Sequence, residues 1–385
     1  MPIVGMVGGG QLAQMTAQAA IGLGATFRVL AGSASESAAL VTHDVSLGSH
    51  LSLSDVAEFA AACDVITFDH EHVPSSVLTS LENAGVLVRP GSSALRFTQD
   101  KLAMRGKLSS LGVPCPRFAP VSSAADVESF AGGSWPVVLK AVSGGYDGKG
   151  VWVCSSASEA ASVVADGQAH GILLLAEEFV PFRRELAVLA ARSPSRQGAV
   201  YPVVQTVQVD GICREVIAPA PGLASAVAEQ AELLALAIAA SLDVVGLLAV
   251  ELFETASGGL LVNELAMRPH NSGHWTMDGA RTSQFEQHLR AVLDLPLGAP
   301  SALGGGFTVM ANILGGTDPD IYDRYIHVMA ADPAVKVHFY GKEIRPGRKI
   351  GHVNIVGDPA DSVDSLRDRA CRAASYLRWG TEDGD

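Results

Sequence analysis

Short apolar runs recur along the N-terminal third of the chain, and each is followed by a glycine turn or a polar segment. The first run, at 3–7, leads into Gly8-Gly9-Gly10 and then into an alanine-rich stretch from about 11 to 23. A buried strand, a glycine turn and a helix in this order are typical of a Rossmann-like α/β unit. The same pattern predicts further strands at 26–30, 65–68 and 86–89.

The rest of the chain mixes segments of helical and of strand periodicity, which predicts an α/β chain that is α+β overall. A helix capped by Thr98 is expected to run to about Leu111, where Gly112-Val113-Pro114 ends it. Further helices are predicted at about 158–168, 283–293 and 362–376. Strands are predicted at 135–139, 151–154, 173–180, 185–190, 201–209, 248–253, 260–265 and 307–314.

A glycine-rich loop, Lys140-Ala-Val-Ser-Gly-Gly-Tyr-Asp-Gly-Lys-Gly-Val151, joins two of these strands. Glycine allows the main chain to approach a ligand closely, and successive N–H groups in such a loop form a concavity that binds anions. Lys140 and Lys149 add positive charge at its two ends. The loop is not a Walker A motif, which needs Gly-Lys-Ser/Thr at the start of a helix. It predicts a hairpin that covers phosphates, and the alternative is a flexible surface hairpin.

Two later strands lie on either side of a Ser-Gly-Gly turn and have the composition of a β-hairpin. If Ser257 and Gly258 are the central turn residues, Glu251 pairs with Glu264. Two carboxylates opposed on a largely apolar face repel each other, so a positive partner is expected between them. Oxygen ligands beside Asn263 suit Mg²⁺, which commonly takes one or two carboxylates together with substrate phosphates. The alternatives are a solvated outer face and a register shifted by one residue.

Two polar clusters follow predicted strands. The segment Arg268-Pro-His-Asn-Ser-Gly-His-Trp275 comes directly after the second glutamate and is dense in hydrogen-bonding side chains. Beside two metal-binding glutamates it predicts a pocket for a substrate anion. The segment Asp69-His-Glu-His72 lies at the carboxyl edge of the N-terminal sheet, where ligands of open α/β sheets bind. Alternation along a strand sends neighbouring side chains to opposite faces, which argues against one metal ion bound by all four.

The net charge is −13, from 27 Lys+Arg and 40 Asp+Glu, which disfavours nucleic acid and an acidic membrane surface as general partners. An anionic substrate of such a chain needs a local basic cluster. The segment 342–349 supplies one, because four cationic side chains fall on a Pro-Gly turn there. It predicts a phosphate clamp, with an ordinary solvated turn as the alternative.

At 385 residues and 48% hydrophobic content, the chain can form two or three domains with large cores. The five cysteines are scattered and form no Cys-x-x-Cys, so neither a zinc site nor a disulfide framework is indicated. The N-terminus lacks the basic region of a signal peptide, and no apolar run reaches the length of a membrane span. These features predict a cytoplasmic protein.

The turn at Gly8–Ala13 also matches the loose dinucleotide-binding pattern Gly-x-Gly-x-x-Gly/Ala. A nicotinamide site needs an acidic residue at the end of the second strand, where this chain has Ala31-Gly32-Ser33. The sequence therefore disfavours a nicotinamide site. Two readings stay open for this turn: it holds a substrate phosphate or ribose at the helix N-terminus, or it only packs.

Together these segments resemble the N5-carboxyaminoimidazole ribonucleotide synthetases of purine biosynthesis, members of the ATP-grasp superfamily. The resemblance covers nearly the whole chain, and His270-Asn-Ser-Gly-His-Trp-Thr276 and Arg345-Pro-Gly-Arg-Lys349 are specific to this enzyme within the superfamily. It implies an ATP-grasp fold with a Rossmann-like pre-ATP-grasp domain at 1–97, an ATP-grasp domain at 98–300 and a small C-terminal domain at 301–385. The other segments that carry it are Gly8-Gly-Gly-Gln-Leu12, Ser143-Gly-Gly-Tyr-Asp-Gly-Lys-Gly150, Asn263-Glu-Leu-Ala266 and Ser283-Gln-Phe-Glu286.

The resemblance implies an ATP-dependent carbon–nitrogen ligase that uses Mg²⁺, or Mn²⁺ in its place. Such an enzyme carboxylates 5-aminoimidazole ribonucleotide with bicarbonate through carboxyphosphate and releases ADP and phosphate. A homodimer is expected because relatives are dimers.

The resemblance also implies roles for individual residues. Glu251 and Glu264 would carry the metal, with Asn263 beside them. The ATP phosphates would be held by Arg96, Lys140, Gly145, Tyr146, Asp147, Gly148, Lys149, Gly150 and Val151, the adenine by Glu177, Glu178, Phe179 and Val180, and the ribose by Glu185. Bicarbonate and the aminoimidazole would contact Tyr146, Asp147, Arg268, His270, Asn271 and Ser272. The ribonucleotide phosphate would contact Lys342, Arg345 and Arg348, with Gln11, Leu12 and Glu71 on its other side.

The chain departs from the family at Met267, where relatives usually have proline, at 69–72, and at Gln205, where some relatives have histidine. These departures concern the outer substrate contacts and a nucleotide role for Gln205, not the glutamate pair. One alternative is another ATP-grasp ligase, such as formate-dependent glycinamide ribonucleotide transformylase, which should lack the segment His270–His274. The others are a nicotinamide oxidoreductase and a non-catalytic nucleotide-binding regulator.

Overall fold

In the part of the chain that the structure describes, three β-sheets form, with helices packed against them. The computed structural model describes residues 1–145 and 148–381, so the predicted substrate contacts Tyr146 and Asp147 lie outside the described residues. Within those ranges no helix has both the length and the apolar content needed to cross a lipid bilayer.

The N-terminal sheet is parallel, as the Rossmann-like pattern predicts, with its strands in the order β3-β2-β1-β4. The strand predicted at 86–89 is wrong, because only one bridge forms there, between Ile66 and Val88. Pro90 has no N–H with which to continue a ladder. The elements are β1 (Ile3–Val7), α1 (Gln11–Leu23), β2 (Thr26–Ala31), β3 (Asp44–Leu47), α2 (Leu53–Ala60), β4 (Val65–Phe68) and α3 (Ser75–Asn83).

Two helices, α4 (Ser92–Gln99) and α5 (Lys101–Ser110), stand where the sequence predicted one helix capped by Thr98. Asp100 separates them because its backbone is extended, with φ −132° and ψ 106°. Its carboxylate accepts a hydrogen bond from the N–H of Ala103 and so caps α5, as aspartate commonly does. The Thr98 hydroxyl instead donates to the Leu95 carbonyl inside α4.

The second sheet is antiparallel, and its strands lie in the order β5-β8-β6-β7. The glycine-rich loop joins β6 to β7, as predicted. Three of its glycines, Gly144, Gly148 and Gly150, have φ between +74° and +77°, a conformation that strongly favours glycine. The elements are β5 (Phe118–Val121), α6 (Ala124–Ala131), β6 (Val137–Ala141), β7 (Val151–Cys154), α7 (Ala157–Ala169) and β8 (Leu174–Glu178).

The third sheet is antiparallel and runs from the middle of the chain into its C-terminal segment. Its strands lie in the order β14-β13-β9-β11-β12-β15-β17-β16, and β10 pairs with β9. Its elements up to residue 300 are β9 (Phe182–Arg192), β10 (Gly198–Val200), β11 (Val204–Val209), β12 (Ile212–Ala218), α8 (Ser225–Ser241), β13 (Gly246–Thr255), β14 (Leu260–Ala266), a 3₁₀ turn (Asn271–Gly273), α9 (Thr276–Gly279) and α10 (Gln284–Val292).

The C-terminal segment adds β15 (Thr308–Leu314), α11 (Arg324–Ala331), β16 (Lys336–Phe339), β17 (Lys349–Val356) and α12 (Val363–Trp379). Its strands do not form a separate sheet, because β15 pairs with β12. It does have its own apolar core, in which Ile313 and Val353 of the sheet pack with Leu366 of α12. The clamp segment predicted at 342–349 connects β16 to β17.

The β13–β14 hairpin pairs Glu251 with Glu264, as predicted, but its turn is not the two-residue turn that the prediction assumed. Thr255 and Gly259 close a three-residue loop, and Gly258 has a positive φ of 82°. This loop shifts the register by one residue near the turn. A β-bulge at Asn263 shifts it back, so that Leu252 faces Val262 while Glu251 faces Glu264.

The bulge also decides which side chains share a face. Simple alternation would place Glu264 on the face of Val262, but Val262 packs in the apolar core with Val250 and Leu252. The extra residue, Asn263, therefore lies on the same side as Glu264, and both face the site described next.

Candidate active site

The two glutamates of the β13–β14 hairpin lie between basic side chains. Glu264 forms an ion pair with Lys101 at the start of α5. Glu251 Oε1 lies 3.5 Å from His270 Nε2. Burial and the charges of Glu264 and Glu185 together raise the pKa of Glu251 to about 7, against the lowering effect of Lys101 and Lys349. The predicted repulsion between opposed carboxylates is thus present, and Lys101 lies at this pair.

Lys140 reaches this pair from the second sheet. Its Nζ lies 2.7 Å from Glu177 Oε2 and donates to Asn263 Oδ1 at 3.0 Å. Burial lowers the pKa of Lys140. Burial would raise the pKa of Glu177, but Lys140 and Arg105 hold it below its ordinary value. Glu177 therefore stays ionised, and its carboxylate is bonded to Lys140 and Arg105 rather than free to face an adenine ring.

The donor-rich segment after β14 is held from two sides. Both oxygens of Glu71 are bonded to it, one to the N–H of Met267 at 3.0 Å and the other to Arg268 Nε at 2.6 Å. On the other side Gln284 at the start of α10 accepts from the N–H of His270 and donates to its carbonyl, each at 2.8 Å. The same side-chain amide bonds to His274 Nδ1 at 2.9 Å. The loop is therefore rigidly placed beside Glu251.

His270 is neutral in this setting. Burial lowers its pKa to about 3, and the charges of Arg268 and Lys349 contribute. Its Nδ1 accepts from the main-chain N–H of Ser272 at 3.4 Å and lies 2.9 Å from Ser272 Oγ. The ring proton is therefore on Nε2, which points toward Glu251.

Asn271 carries a buried side-chain donor that has no strong acceptor among the described residues. Its Nδ2 is buried and makes no hydrogen bond to a nitrogen or oxygen atom of any described residue. The side chain lies beside the thiol of Cys213, whose pKa burial raises to about 12. A buried donor without a strong acceptor is costly, and such groups are frequent where a ligand binds.

The predicted phosphate clamp approaches the first helix. Lys342 Nζ donates to Gln11 Oε1 at 2.6 Å, which joins two predicted contacts of the ribonucleotide phosphate. Arg348 donates to the carbonyl of Glu343 at 3.2 Å. Arg345 pairs with the Glu343 side chain, and both side chains are about two-thirds exposed. Leu12 instead packs its side chain among apolar residues, so only its main chain could contact a ligand.

The glycine turn before α1 is largely bonded to the protein's own carboxylates. Asp69 accepts from the N–H groups of Gly10 and Ala13, and Glu36 accepts from that of Gly9. Asp69 therefore caps α1, which gives one residue of the polar cluster at 69–72 a structural role. His70 is packed against Gly8 between His50 and His72, and burial lowers its pKa to about 4.

The residues predicted for adenine and ribose lie where β8 leads into β9. Glu178 accepts from the N–H of Arg117 at 2.8 Å, Phe179 is 44% exposed and Val180 is buried. Burial raises the pKa of Glu185 to about 7. Arg96 is exposed on α4, where its guanidinium lies over the ring of Phe97.

Four residues of the site were absent from the sequence prediction of site residues. They are Lys101, which pairs with Glu264; Arg105, which binds Glu177; Gln284, which holds His270; and Lys349, whose charge acts on both Glu251 and His270. Two of them lay in segments that the sequence analysis singled out without giving them a role: Lys349 in the basic cluster and Gln284 in the resemblance segment Ser283-Gln-Phe-Glu286.

Three segments of the chain match models of known domain families. Residues 106–285 match the model of the ATP-grasp domain, 1–99 that of the ribonucleotide synthetase pre-ATP-grasp domain, and 308–366 that of the phosphoribosylaminoimidazole carboxylase C-terminal domain. The chain is thus a protein of the ATP-grasp class.

Within that class, the chain is 54% identical over 383 residues to the N5-carboxyaminoimidazole ribonucleotide synthase of Mycobacterium bovis, covering 98% of this chain and 88% of the relative. It is 49% identical to that of Corynebacterium ammoniagenes, with 98% and 92% covered. The Aspergillus clavatus N5-carboxyaminoimidazole synthase in complex with ADP and 5-aminoimidazole ribonucleotide superposes with a TM-score of 0.88 at 29% identity, covering 98% of each chain. This chain belongs to the N5-carboxyaminoimidazole ribonucleotide synthase family, as the resemblance predicted.

Proposed function

We propose that this chain is an ATP-dependent carbon–nitrogen ligase that carboxylates 5-aminoimidazole ribonucleotide with bicarbonate. The products are N5-carboxyaminoimidazole ribonucleotide, ADP and phosphate. The observation that carries this proposal is the pairing of Glu251 with Glu264 beside Lys140 and the donor-rich loop at 268–275. The groups that would hold a phosphate-bound metal lie next to the groups that would hold a small anion.

The residues present fit a divalent metal. Glu251 and Glu264 would hold Mg²⁺, or Mn²⁺ in its place, and the ion would neutralise charge on the transferring phosphoryl group. Within the described ranges, no three or more His, Cys, Asp or Glu side chains are grouped as a metal site. The two glutamates would therefore bind the ion together with nucleotide phosphates.

Carboxylation needs an activated form of bicarbonate, because bicarbonate itself is a poor electrophile. An oxygen of bicarbonate would attack the γ-phosphorus of ATP, with ADP as the leaving group, and the amine of the ribonucleotide would then attack the carboxyl carbon, with phosphate leaving. Lys140 and the main-chain N–H groups of the glycine loop would hold the phosphates. Arg268 and Asn271 Nδ2 would hold the bicarbonate oxygens.

The substrate ribonucleotide would place its phosphate at Lys342, Gln11 and the arginines of the clamp. Carboxyphosphate hydrolyses readily, so the loop and the donor cluster would also exclude water. We further propose that the protein acts in the cytoplasm as a homodimer.

One assay tests the function: phosphate release from ATP with bicarbonate and 5-aminoimidazole ribonucleotide, compared with formate plus glycinamide ribonucleotide. Phosphate release that requires bicarbonate and the aminoimidazole nucleotide, with equal formation of carboxylated product, supports the proposal. Phosphate release only with formate would identify the other ATP-grasp ligase, and reduction of a nicotinamide cofactor would reject both.

Replacing Arg348 by alanine is expected to raise KM for the ribonucleotide by about 10- to 100-fold, because a charged hydrogen bond to phosphate contributes about 1.5–3 kcal/mol. KM for ATP should change less than about twofold, since the clamp lies on another segment from the glycine loop. Steady-state kinetics with each substrate varied in turn measures both values. Arg372→Ala, an exposed arginine of α12, is the control and should change neither. An equal rise in both KM values for Arg348→Ala would contradict the clamp.

A further inference from the structure

We propose that Arg105 is a positioning residue that holds the bulged edge of β14 and so sets Asn263 and Glu264 against Lys140. The proposal rests on the proposed function, because it assigns Arg105 a purpose in building the site for the metal and the phosphates. Arg105 itself is fully buried, so it meets no substrate.

All three nitrogen atoms of the Arg105 guanidinium donate hydrogen bonds. Its Nε donates to Glu177 Oε1, its Nη1 to the carbonyl of Val262 and its Nη2 to the carbonyl of Asn263, each at 2.7 Å. A planar fork with donors at fixed angles suits two neighbouring acceptors, which a lysine ammonium cannot match with the same geometry.

The two carbonyls that Arg105 binds lie at the bulge of β14. In a regular strand, consecutive carbonyls point in opposite directions, so one donor group does not reach both. The carbonyls of Val262 and Asn263 both reach Arg105 because the bulge turns the chain between them. Within residues 1–145 and 148–381, β14 is the edge strand of its sheet, and no neighbouring strand supports the bulge on its outer side. The N–H of Val262 also bonds across this edge, to the carbonyl of Pro114 at 2.8 Å.

The contacts of Arg105 close a ring around the site. Arg105 binds Glu177, Glu177 binds Lys140, Lys140 binds the side chain of Asn263, and the carbonyl of Asn263 returns to Arg105. Lys140 and Glu177 belong to the second sheet, whereas Asn263 belongs to the third. The ring therefore fixes the distance between the lysine on one sheet and the metal-binding glutamate on the other.

The test replaces Arg105 by lysine, which keeps a positive charge beside Glu177 but loses the fork. We expect Mn²⁺ to bind the ADP complex about 10-fold more weakly, as is usual when a group that orients a metal ligand is removed. Electron paramagnetic resonance of free Mn²⁺ measures this affinity without turnover. We also expect kcat to fall by about the same factor while KM for the ribonucleotide changes less than about twofold.

Arg324→Lys is a matched control. Arg324 also donates to two carbonyls, those of Leu377 and Arg378, and to the carboxylate of Asp318, but in the C-terminal segment. Its replacement removes the same kind of fork and should lower the melting temperature without changing Mn²⁺ affinity. If Arg105→Lys does not fold, Arg105→Gln takes its place with the same expectation, since Glu177 keeps Lys140 as its partner.

A folded Arg105 variant that binds Mn²⁺ and ADP as tightly as the wild type would overturn the proposal. So would a variant that loses stability to the same extent as Arg324→Lys and shows no loss of metal affinity. Because the test measures binding without turnover, a wild-type protein that fails to carboxylate the ribonucleotide counts against the proposed function alone.

Discussion

Replacing Glu264 by glutamine is expected to lower ATP turnover by about 10²- to 10³-fold, the usual loss when one charged group that stabilises a transition state is removed. Glutamine has nearly the same shape and still accepts a hydrogen bond from Lys101, so the fold should persist. What is lost is one of the two carboxylates that would hold the metal against the phosphates. Phosphate release at saturating ATP measures the loss, and Mn²⁺ binding to the ADP complex should weaken in parallel.

The control for this variant is Glu215→Gln. Glu215 on β12 accepts two hydrogen bonds from Arg367 of α12, at 2.7 and 3.1 Å, on the side of the sheet that faces the C-terminal helix. The same isosteric change there should cost some stability but leave turnover within about twofold, because surface and half-buried ion pairs contribute little to distant chemistry. Full ATP turnover in Glu264→Gln would remove the metal assignment.

The pairing that these variants test was predicted from the sequence, although the assumed turn was wrong. The prediction took Ser257 and Gly258 as a two-residue turn. The loop instead has three residues, so the pairing of β13 with β14 next to the turn is shifted by one residue from the predicted register. The bulge at Asn263 cancels this error before Glu264 is reached. Hairpin composition is a local signal, whereas a bulge held by Arg105 depends on a residue more than a hundred and fifty positions away, which periodicity alone does not reveal.

The same reason explains which site residues were missed. The glycine loop, the donor segment and the basic C-terminal turn are each one continuous segment, so the chemistry of each can be predicted from its own residues. Lys101 lies 163 positions before Glu264, and nothing in its own surroundings distinguishes it from a lysine in any helix. Gln284 lies in the resemblance segment Ser283-Gln-Phe-Glu286, but that segment alone does not reveal its hydrogen bonds to His270. The family resemblance supplied the domain order, whose exact boundaries remain a prediction. It did not show that the C-terminal strands continue the third sheet through β12 and β15.

The ring of buried charges predicts that Lys140 can be changed without unfolding the site. Burial disfavours the charge of Lys140 and lowers its pKa, and the carboxylate of Glu177 acts in the opposite direction. If the lysine is removed, Glu177 is not left unpaired, because Arg105 still donates to it at 2.7 Å. The strong destabilisation that follows from a lone buried charge is therefore not expected.

Lys140→Met should accordingly keep the melting temperature within a few degrees of the wild type, while kcat with ATP falls by about 10²- to 10³-fold through loss of a positive charge on the phosphates. Phosphate release measures kcat, and calorimetry with ADP shows how much of the loss lies in ground-state binding. Mn²⁺ affinity in the ADP complex should fall less than in Glu264→Gln, since both glutamates remain. Lys336→Met, an exposed lysine on the edge strand β16, controls for the loss of one charge. A Lys140→Met protein with kcat within about twofold of the wild type would show that the glycine loop and the metal carry the phosphates without this lysine.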